Sequence, residues 1–478
     1  MTLVAGVDSS TQSTKVEIRD IESGRLIASA KRSHPPTSPP VSEQDPSDWW
    51  RALVGCFGEL APHLRQVRAV SVAAQQHGLV MLDHLGVPVR PAKLWNDTTS
   101  APQAQALVER LGAHRWAAMT GSVPLAAFTI SKLAWVVDNE PDAVSRCASL
   151  MLPHDYLVYS MTGTAVTDRG DASGTGWFDP ATDTYRPEVF ELAGCPQLAQ
   201  AVPSVSRPFE AVGEVTAPEL VELGLGGAVV GPGTGDNMAA ALGLGLEAGD
   251  LVISLGTSGT VYARSGTATA DPSGLVAGFA DAAGGFLPLV CTLNATKVTD
   301  SVATWLGVDA AALAELALEA VGDTEVPVLV PYFDGERTPN LPAATGSLLG
   351  LGTSTTRAQL ALGAHDGVLC GLLGGADALR AAGVTIEGRC YLVGGGARSQ
   401  AYRRRAADLR NDSVVVPHQD EVVATGAAVQ AAVVVSGSDL GDVARRWGLG
   451  SGTTVEPTVD ATATVHRYHQ AAGLHLNR

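Results

Sequence analysis

The sequence predicts an α/β protein built as two lobes, and three observations carry that reading. A chain of 478 residues exceeds what one ordinary hydrophobic core organises. Apolar runs of strand length alternate with helical periodicity from one end to the other. An opening of strand, hydroxyl-rich tip and second strand at Leu3 to Ile18 recurs in kind at Leu251 to Tyr262. Between the two halves the run from Val229 to Ala240 holds three glycines and a proline ahead of an alanine-rich stretch. That turn sets the expected domains at residues 1–245 and 246–478.

Composition narrows the class. Hydrophobic residues make up 45% and charged residues 17%, which is globular, and the 53 glycines suit tight loops between short elements. Thirty-two basic against 49 acidic side chains give a net charge of −17, which argues against nucleic-acid and anionic-membrane partners. A phosphate ligand in such a field needs a cradle of N–H groups or a metal. The six cysteines stand far apart without a C-x-x-C pair, so neither zinc nor a disulfide framework is expected. Apolar runs such as Ala427 to Val435 stop short of a membrane span, and no secretory signal is visible. A reducing, cytoplasmic setting is the expectation.

In chain order, Leu3 to Val7 is a strand closed by Asp8-Ser9-Ser10-Thr11, Lys15 to Asp20 alternates as its hairpin partner, and Arg25 to Ala30 makes a third strand. The proline-rich stretch from Ser33 to Pro40 must be a loop. Asp45 and Pro46 then carry cap and first-turn signals for a helix holding Trp49, Trp50, Leu53 and Leu60, with both tryptophans expected in the core. Val67 to Ala74 reads as a buried strand that runs into Gln75-Gln76-His77-Gly78, and polar residues at such a strand end are where open α/β sheets place ligands. A short strand at Leu79 to Asp83 and helices at Thr129 to Val137 and His154 to Met161 follow. Residues Gly163 to Trp177 read as loop or short strand.

The second half repeats the scheme. Leu251 to Leu255 and its partner flank Gly256-Thr257-Ser258, and Gly278 to Val290 suggests two further strands around Gly284 and Gly285. Val326 to Pro331 is a buried strand entering the Gly335-Glu336-Arg337-Thr338-Pro339 loop. A long helix is expected from Thr356 to Ala382, then a strand from Arg389 to Val393 that enters Gly394-Gly395-Gly396, then a basic helix near Tyr402.

The two hairpin tips and the triple glycine are three candidate anion cradles, since backbone N–H groups in such turns hold phosphate without lysine. Each alone is more often an ordinary turn. Asp236 lands at the mouth of a helix, where its carboxylate either caps free N–H groups or stands unneutralised as a base, and the residues alone leave both open. The Walker A loop, the G-x-G-x-x-G fingerprint, the G-x-S-x-G elbow and the H-E-x-x-H pair are all missing. His466 and His469, without a third ligand, read as surface residues.

Asp8 to Lys15, Ser42 to Pro46 with Trp49-Trp50, Gln76-His77-Gly78, Leu94-Trp95-Asn96-Asp97, Gly235-Asp236-Asn237, Ser254 to Gly259, Gly335 to Pro339 and Gly394 to Ser399 occur in the order seen in sugar kinases of the FGGY family. The chain resembles that family from about Leu3 to about Ala428. The resemblance implies two actin-like, ribonuclease-H-like lobes with an interlobe cleft, sugar on the amino-terminal lobe and nucleotide on the carboxy-terminal one. It implies ATP and Mg²⁺, and a ketopentose acceptor, D-xylulose first. By the same resemblance Asp236 is the general base, Asp8 holds the magnesium and γ-phosphate, and Gln76, His77 and Asn237 bind sugar. Thr11 and Lys15 fall where the family approaches the transferred phosphate, and Thr257, Gly395 and Gly396 where it holds nucleotide. A homodimer is the implied assembly.

Two departures stand out. Gln76 replaces the methionine common in members that act on D-xylulose, which leaves L-ribulose, glycerol and gluconate as competing acceptors. Ser9-Ser10 replaces the usual Leu-Gly before the hairpin threonine, and serine tolerates positive φ less well. Glu336 and Arg337 either pair with each other or touch ligand, while Glu43 and Asp45 read as helix caps. The alternative from another class is a non-metabolic actin-like ATPase, which would give Gln76, His77 and the Asp236 turn no task.

Overall fold

The computed structural model describes residues 1–419 and 421–476. It folds into two compact units, one of Met1–Leu246, Gly266–Leu287 and Asp420–Gly450, the other of Glu247–Ser265, Pro288–Gln419 and Ser451–Arg478. Each unit is built on one large mixed sheet.

In the first unit the strands lie in the order Leu26–Ser33, Ser13–Asp20, Leu3–Ser9, Val67–Ala74, Val229–Val230, Gly213–Glu214, with Thr234–Gly235 also pairing Val67–Ala74. The second sheet runs Leu289–Thr292, Gly259–Ala263, Leu251–Leu255, Cys390–Val393, Val414–Pro417, Gly452–Val455. Read along either sheet, the neighbouring pairs are antiparallel, antiparallel, parallel, parallel, antiparallel. The hairpin recurrence seen in the sequence is therefore a recurrence of whole sheets. The outermost strands break the match in chain order, since Gly213–Glu214 precedes its neighbour whereas Gly452–Val455 follows its own.

The first strand is buried on both faces, which is why Leu3 to Val7 is apolar without alternation. Leu3, Ala5 and Val7 face a core with Trp49, Leu53 and Phe57 of the helix Pro46–Glu59. Val4 faces the other way, into a cluster with Ala428, Val429 and Ala432 of the helix Val422–Ser436. That helix comes closest at Gly6, where an added Cβ would stand 2.0 Å from the Ala424 carbonyl oxygen. It crosses the helix Asp236–Gly243 just as tightly, since a Cβ on Gly426 would stand 1.7 Å from the Ala239 carbonyl. A helix this apolar, interrupted only by Thr425, Gln430 and Ser436, is stable only when covered on most sides.

This cover explains a difference from the expected division at residue 245. Two segments numbered in the second half, 266–287 and 421–450, pack with the first unit. The pair of strands expected around Gly284 and Gly285 is reduced to one bridge between Ala280 and Phe286. There the Asp281 carboxylate accepts from the amides of Ala283 and Gly285 and closes the turn itself.

Most other elements follow the sequence reading. Asp45 caps its helix by accepting from the Ser47 amide at 2.9 Å, and Thr356 and Gln359 form a capping box at the start of Arg357–Ala381. Trp49 is fully buried, whereas Trp50 is only partly so. Among the described residues all six cysteines are free, and no single helix is long and apolar enough to cross a membrane.

Candidate active site

Three parallel strand segments of the first sheet deliver the predicted residues to one edge. Ser9 and Gly235 both sit level with Ala74, so the chain beyond each strand end emerges at the same height. Asp8, Gln75-Gln76-His77 and Asp236-Asn237 are thereby brought to the carboxyl ends of neighbouring strands, the expected place for a ligand in such a sheet.

The first hairpin tip closes through the Ser10 amide donating to the Ser13 carbonyl at 3.0 Å. Ser10 is not among the residues with positive φ, so serine fits a turn that glycine was expected to require. Thr11 ties the tip to its neighbours: its hydroxyl donates to Gln75 Oε1 and accepts from Trp95 Nε1, both at 2.9 Å. Asp8 lies directly across the ladder from Lys15. Lys15 makes ion pairs with Glu17 at 3.0 Å and Glu421 at 3.3 Å, so part of its charge is already spoken for.

Asp8 Oδ1 is buried and has no hydrogen-bond partner among the described residues. Burial first, then the negative charges of Asp236 and Glu421, push this carboxyl up to about 7 against the pull of Lys15 and Lys31. Asp236 is pushed up by burial to about 6, with hydrogen bonds from Asn237 opposing the rise.

Asp236 is not the cap of its helix. The capping position is Gly235, with no side-chain cap, and Asp236 is the first helical residue. Its Oδ1 accepts from the Asn237 amide at 2.8 Å and from Asn237 Nδ2 at 2.9 Å. Asn237 Nδ2 also donates to Gln76 Oε1 at 2.8 Å. Asp236, Asn237 and Gln76 thus form one hydrogen-bonded chain, while Gln76 Nε2, buried, finds no partner among the described residues. His77 holds a left-handed φ of 64° and is buried.

Behind this edge lies a charged cluster that the sequence reading missed. His154 Nδ1 is 2.9 Å from Asp171 Oδ2, and its Nε2 is 3.0 Å from Asp155 Oδ1 and 3.6 Å from Asp168 Oδ1. Burial alone would lower this imidazole, but the Asp155 and Asp171 carboxylates raise it well above its ordinary value. Asp168 Oδ2 in turn accepts from Thr234 Oγ1 at 2.7 Å, two residues before Asp236. From the opposite side Gln430 bonds both the amide of Gly233, at 3.0 Å, and its carbonyl, at 3.1 Å. The central turn is clamped between the two. Asp168 and Asp171 lie in the stretch read as loop, where only the spacing of two aspartates three apart hinted at more.

Of the other candidates, Asp97 is fully buried and holds the equally buried Lys93 at 3.2 Å. Glu43 pairs with Arg90 at 2.7 Å and Lys93 at 3.0 Å, and so does not act as a helix cap. His466 and His469 lie on the helix Thr462–Leu476, and no metal-holding group of three or more His, Cys, Asp or Glu occurs among the described residues.

In the second unit the tip Gly256-Thr257-Ser258 and the loop Gly394-Gly395-Gly396 follow adjacent parallel strands, with Ser254 level with Val393. Gly394, at φ 87°, lies so close to the first of these strands that a Cβ would stand 2.6 Å from the Leu255 carbonyl. Thr257 and Gly395 are exposed, and a Cβ on Gly395 would meet nothing within 4 Å, so a bare backbone faces open space. Glu336 is buried and does not pair with Arg337 through its side chain. Its oxygens accept from the Leu293 amide at 2.6 Å, the Arg337 amide at 2.7 Å and Asn294 Nδ2 at 2.9 Å, a structural role.

Two family models, the N-terminal and C-terminal domains of the FGGY family of carbohydrate kinases, match residues 3–243 and 251–435. The chain belongs to the FGGY family of carbohydrate kinases. This FGGY kinase is 46% identical to the xylulose kinase of Streptomyces coelicolor over 97% of its own length and 95% of the relative's. It is 33% identical to the xylulose kinase of Escherichia coli, with 84% of each chain covered. Among solved structures, xylulose kinase from Bifidobacterium adolescentis superposes with a TM-score of 0.86 at 39% identity, covering 98% of this chain and 99% of that one. Glycerol kinase from Plasmodium falciparum superposes at 0.91 with 18% identity, covering 100% and 98%, which shows the shared actin-like fold and no more.

Proposed function

We propose that this FGGY kinase transfers the γ-phosphoryl group of ATP to a ketopentose, converting D-xylulose to D-xylulose 5-phosphate. The observation that carries the mechanism is the Asp236 carboxylate, lifted to about 6 and joined through Asn237 to Gln76. A base is most useful when its pKa lies near the working pH, and this one is mostly ionised at neutrality yet still able to take a proton. The substrate class comes from the xylulose kinases to which the chain is similar over most of its length.

In this reading Gln76, His77 and Asn237 hold the sugar so that its primary hydroxyl faces Asp236, which accepts the proton as the oxygen attacks phosphorus. Phosphoryl transfer asks a protein chiefly for alignment and charge neutralisation. Thr11 and Lys15 approach the transferred phosphate, and Thr257, Gly395 and Gly396 hold the nucleotide through backbone N–H groups. The unpartnered Asp8 Oδ1 fits a magnesium ion that phosphate oxygens and water would otherwise hold. Mg²⁺, when bound, would offset the charge of the phosphates in a chain of net charge −17. The first half of the chain is assigned to sugar, the second to nucleotide, and a cytoplasmic homodimer is the proposed setting.

Asp236→Asn should keep the fold and bind sugar while turnover falls by roughly 10²- to 10⁴-fold, the usual worth of a general base. Near-normal kcat in that variant would remove Asp236 from the role. A panel of D-xylulose, L-ribulose, glycerol and gluconate, with ADP release followed for each, tests the acceptor. ATP consumption independent of any sugar would instead favour the non-metabolic ATPase.

A further inference from the structure

His77 is restrained on every side that its backbone and ring present. Its φ of 64° lies in the left-handed region, which a residue with a Cβ occupies only when its surroundings dictate it. The Thr129 hydroxyl donates to its carbonyl at 3.2 Å. The ring stacks on Phe128, with centroids 5.3 Å apart and planes at 13°, and meets Phe279 at 5.4 Å and 48°. Against a third side lies the backbone of Gly174, where a Cβ would stand 2.2 Å from the ring atoms Cε1 and Nδ1.

Phe279 is the unexpected member. It belongs to the segment 266–287, numbered in the half assigned to nucleotide but packed within the first unit. Hydrogen bonds fasten this segment around Phe279. The Gly278 amide bonds to Gly121 O and Ser122 Oγ, both at 3.1 Å, and the Ala280 amide to Ser173 Oγ at 3.1 Å. Phe279 itself is buried and also touches Phe128, with centroids 6.1 Å apart.

We propose that Phe279 is a positioning residue of the sugar site: by completing a triangle of mutually packed rings with Phe128 and His77 it fixes the imidazole toward the acceptor, so that segment 266–287 helps set which sugar is accepted. This rests on the kinase reading above. A ring held by a stacked and a tilted neighbour keeps its hydrogen-bonding edge aimed, and a loosened ring binds the correct sugar less well and discriminates less. The effect belongs to sugar binding, since Phe279 acts only through His77.

The test compares the full chain with its Phe279→Ala, Phe279→Leu and Gly174→Ala variants, each first checked by thermal melting. The Michaelis constants for sugar and ATP, kcat, and the ratio of kcat/KM for D-xylulose over L-ribulose are read for each, with binding of D-xylulose alone by calorimetry. Losing this tilted aromatic contact should raise the sugar KM about tenfold in Phe279→Ala and about threefold in Phe279→Leu, with the ATP KM unchanged. Gly174→Ala, pushing the ring from the other side, should act in the same direction, and the sugar ratio should shrink in all three. If Phe279→Ala fails to fold, Phe279→Leu, which keeps most of the volume, carries the test. Folded variants with the parent's sugar KM and sugar ratio overturn the inference and leave the kinase reading standing, as does a fall in kcat alone. If the parent phosphorylates no sugar in the panel, the kinase reading fails and the inference falls with it.

Discussion

Truncating Asn237 to alanine should move the acid limb of the pH profile, not merely lower activity. The side-chain amide of Asn237 donates to Asp236 Oδ1 at 2.9 Å, while the backbone amide that also donates, at 2.8 Å, survives the substitution. A hydrogen bond to a charged group contributes roughly 1.5–3 kcal/mol, and one pKa unit corresponds to about 1.4 kcal/mol, so the Asp236 carboxyl should rise by about one to two units. The sign follows from which form is stabilised. The donor favours the carboxylate, its loss favours the acid, and a base is active only in the carboxylate form. From about 6 in the parent, the limb should move to between roughly 7 and 8 in the variant. At pH 7 the ionised fraction would drop from about nine-tenths to between about a half and about a tenth, a roughly two- to tenfold loss of kcat recovered near pH 9. The assay is sugar-dependent ADP release at saturating D-xylulose and ATP across pH 5 to 9. Saturation removes the weaker sugar binding that loss of the Gln76 contact also causes. A limb that stays near pH 6 in the variant, or a parent with no limb there, would refute the assignment of Asp236 as the titrating base.

Other substitutions probe the same edge. Asp8→Asn should lose turnover and magnesium response together, yet melt at a higher temperature than the parent at pH 8. Its carboxyl is raised from 3.8 to about 7 in the folded chain, so the folded state binds the proton more tightly, and stability is lost as pH rises through that window. The cost above it is up to about 4 kcal/mol, and the advantage of asparagine should fade as pH falls toward 4. A variant that melts lower at pH 8 would contradict the burial argument. Thr234→Val removes the hydroxyl that Asp168 accepts. It should lower stability by about 1–3 kcal/mol and lower kcat with little change in sugar KM, while Thr234→Ser restores both. Equal behaviour of the valine and serine variants in melting and turnover would mean the hydroxyl does not hold the central turn.

Much of the candidate site was legible in the residues because it sits where strands stop. Asp8, Gln76 and His77 each follow a short apolar run and Asp236 follows a glycine-rich turn, and polar residues there have few structural reasons to exist. Thr257 and the triple glycine were legible for the same reason. What was not legible depended on partners distant in the chain. His154 reads as one more residue of an apolar helix until Asp155, Asp168 and Asp171 are seen around it. Gln430 reads as a polar interruption in an apolar helix until it meets Gly233, 197 positions earlier. The expected pair of strands near Gly284 failed because the Asp281 side chain completes a turn that glycine spacing alone made look like a hairpin.

Local pattern by itself determined the α/β class, the duplicated hairpins, the helix cap at Asp45, and the strand-end residues that could do chemistry, because each depends on neighbours within a few positions. Only the tertiary structure decided that the helix Val422–Ser436 and the segment 266–287 pack with the first unit, that Asp236 is a half-buried, raised carboxyl and not a cap, and that Phe279 stands against His77. Burial, electrostatic coupling and close backbone approach are properties of the space around a residue, and that space is filled by parts of the chain that sequence spacing does not bring together.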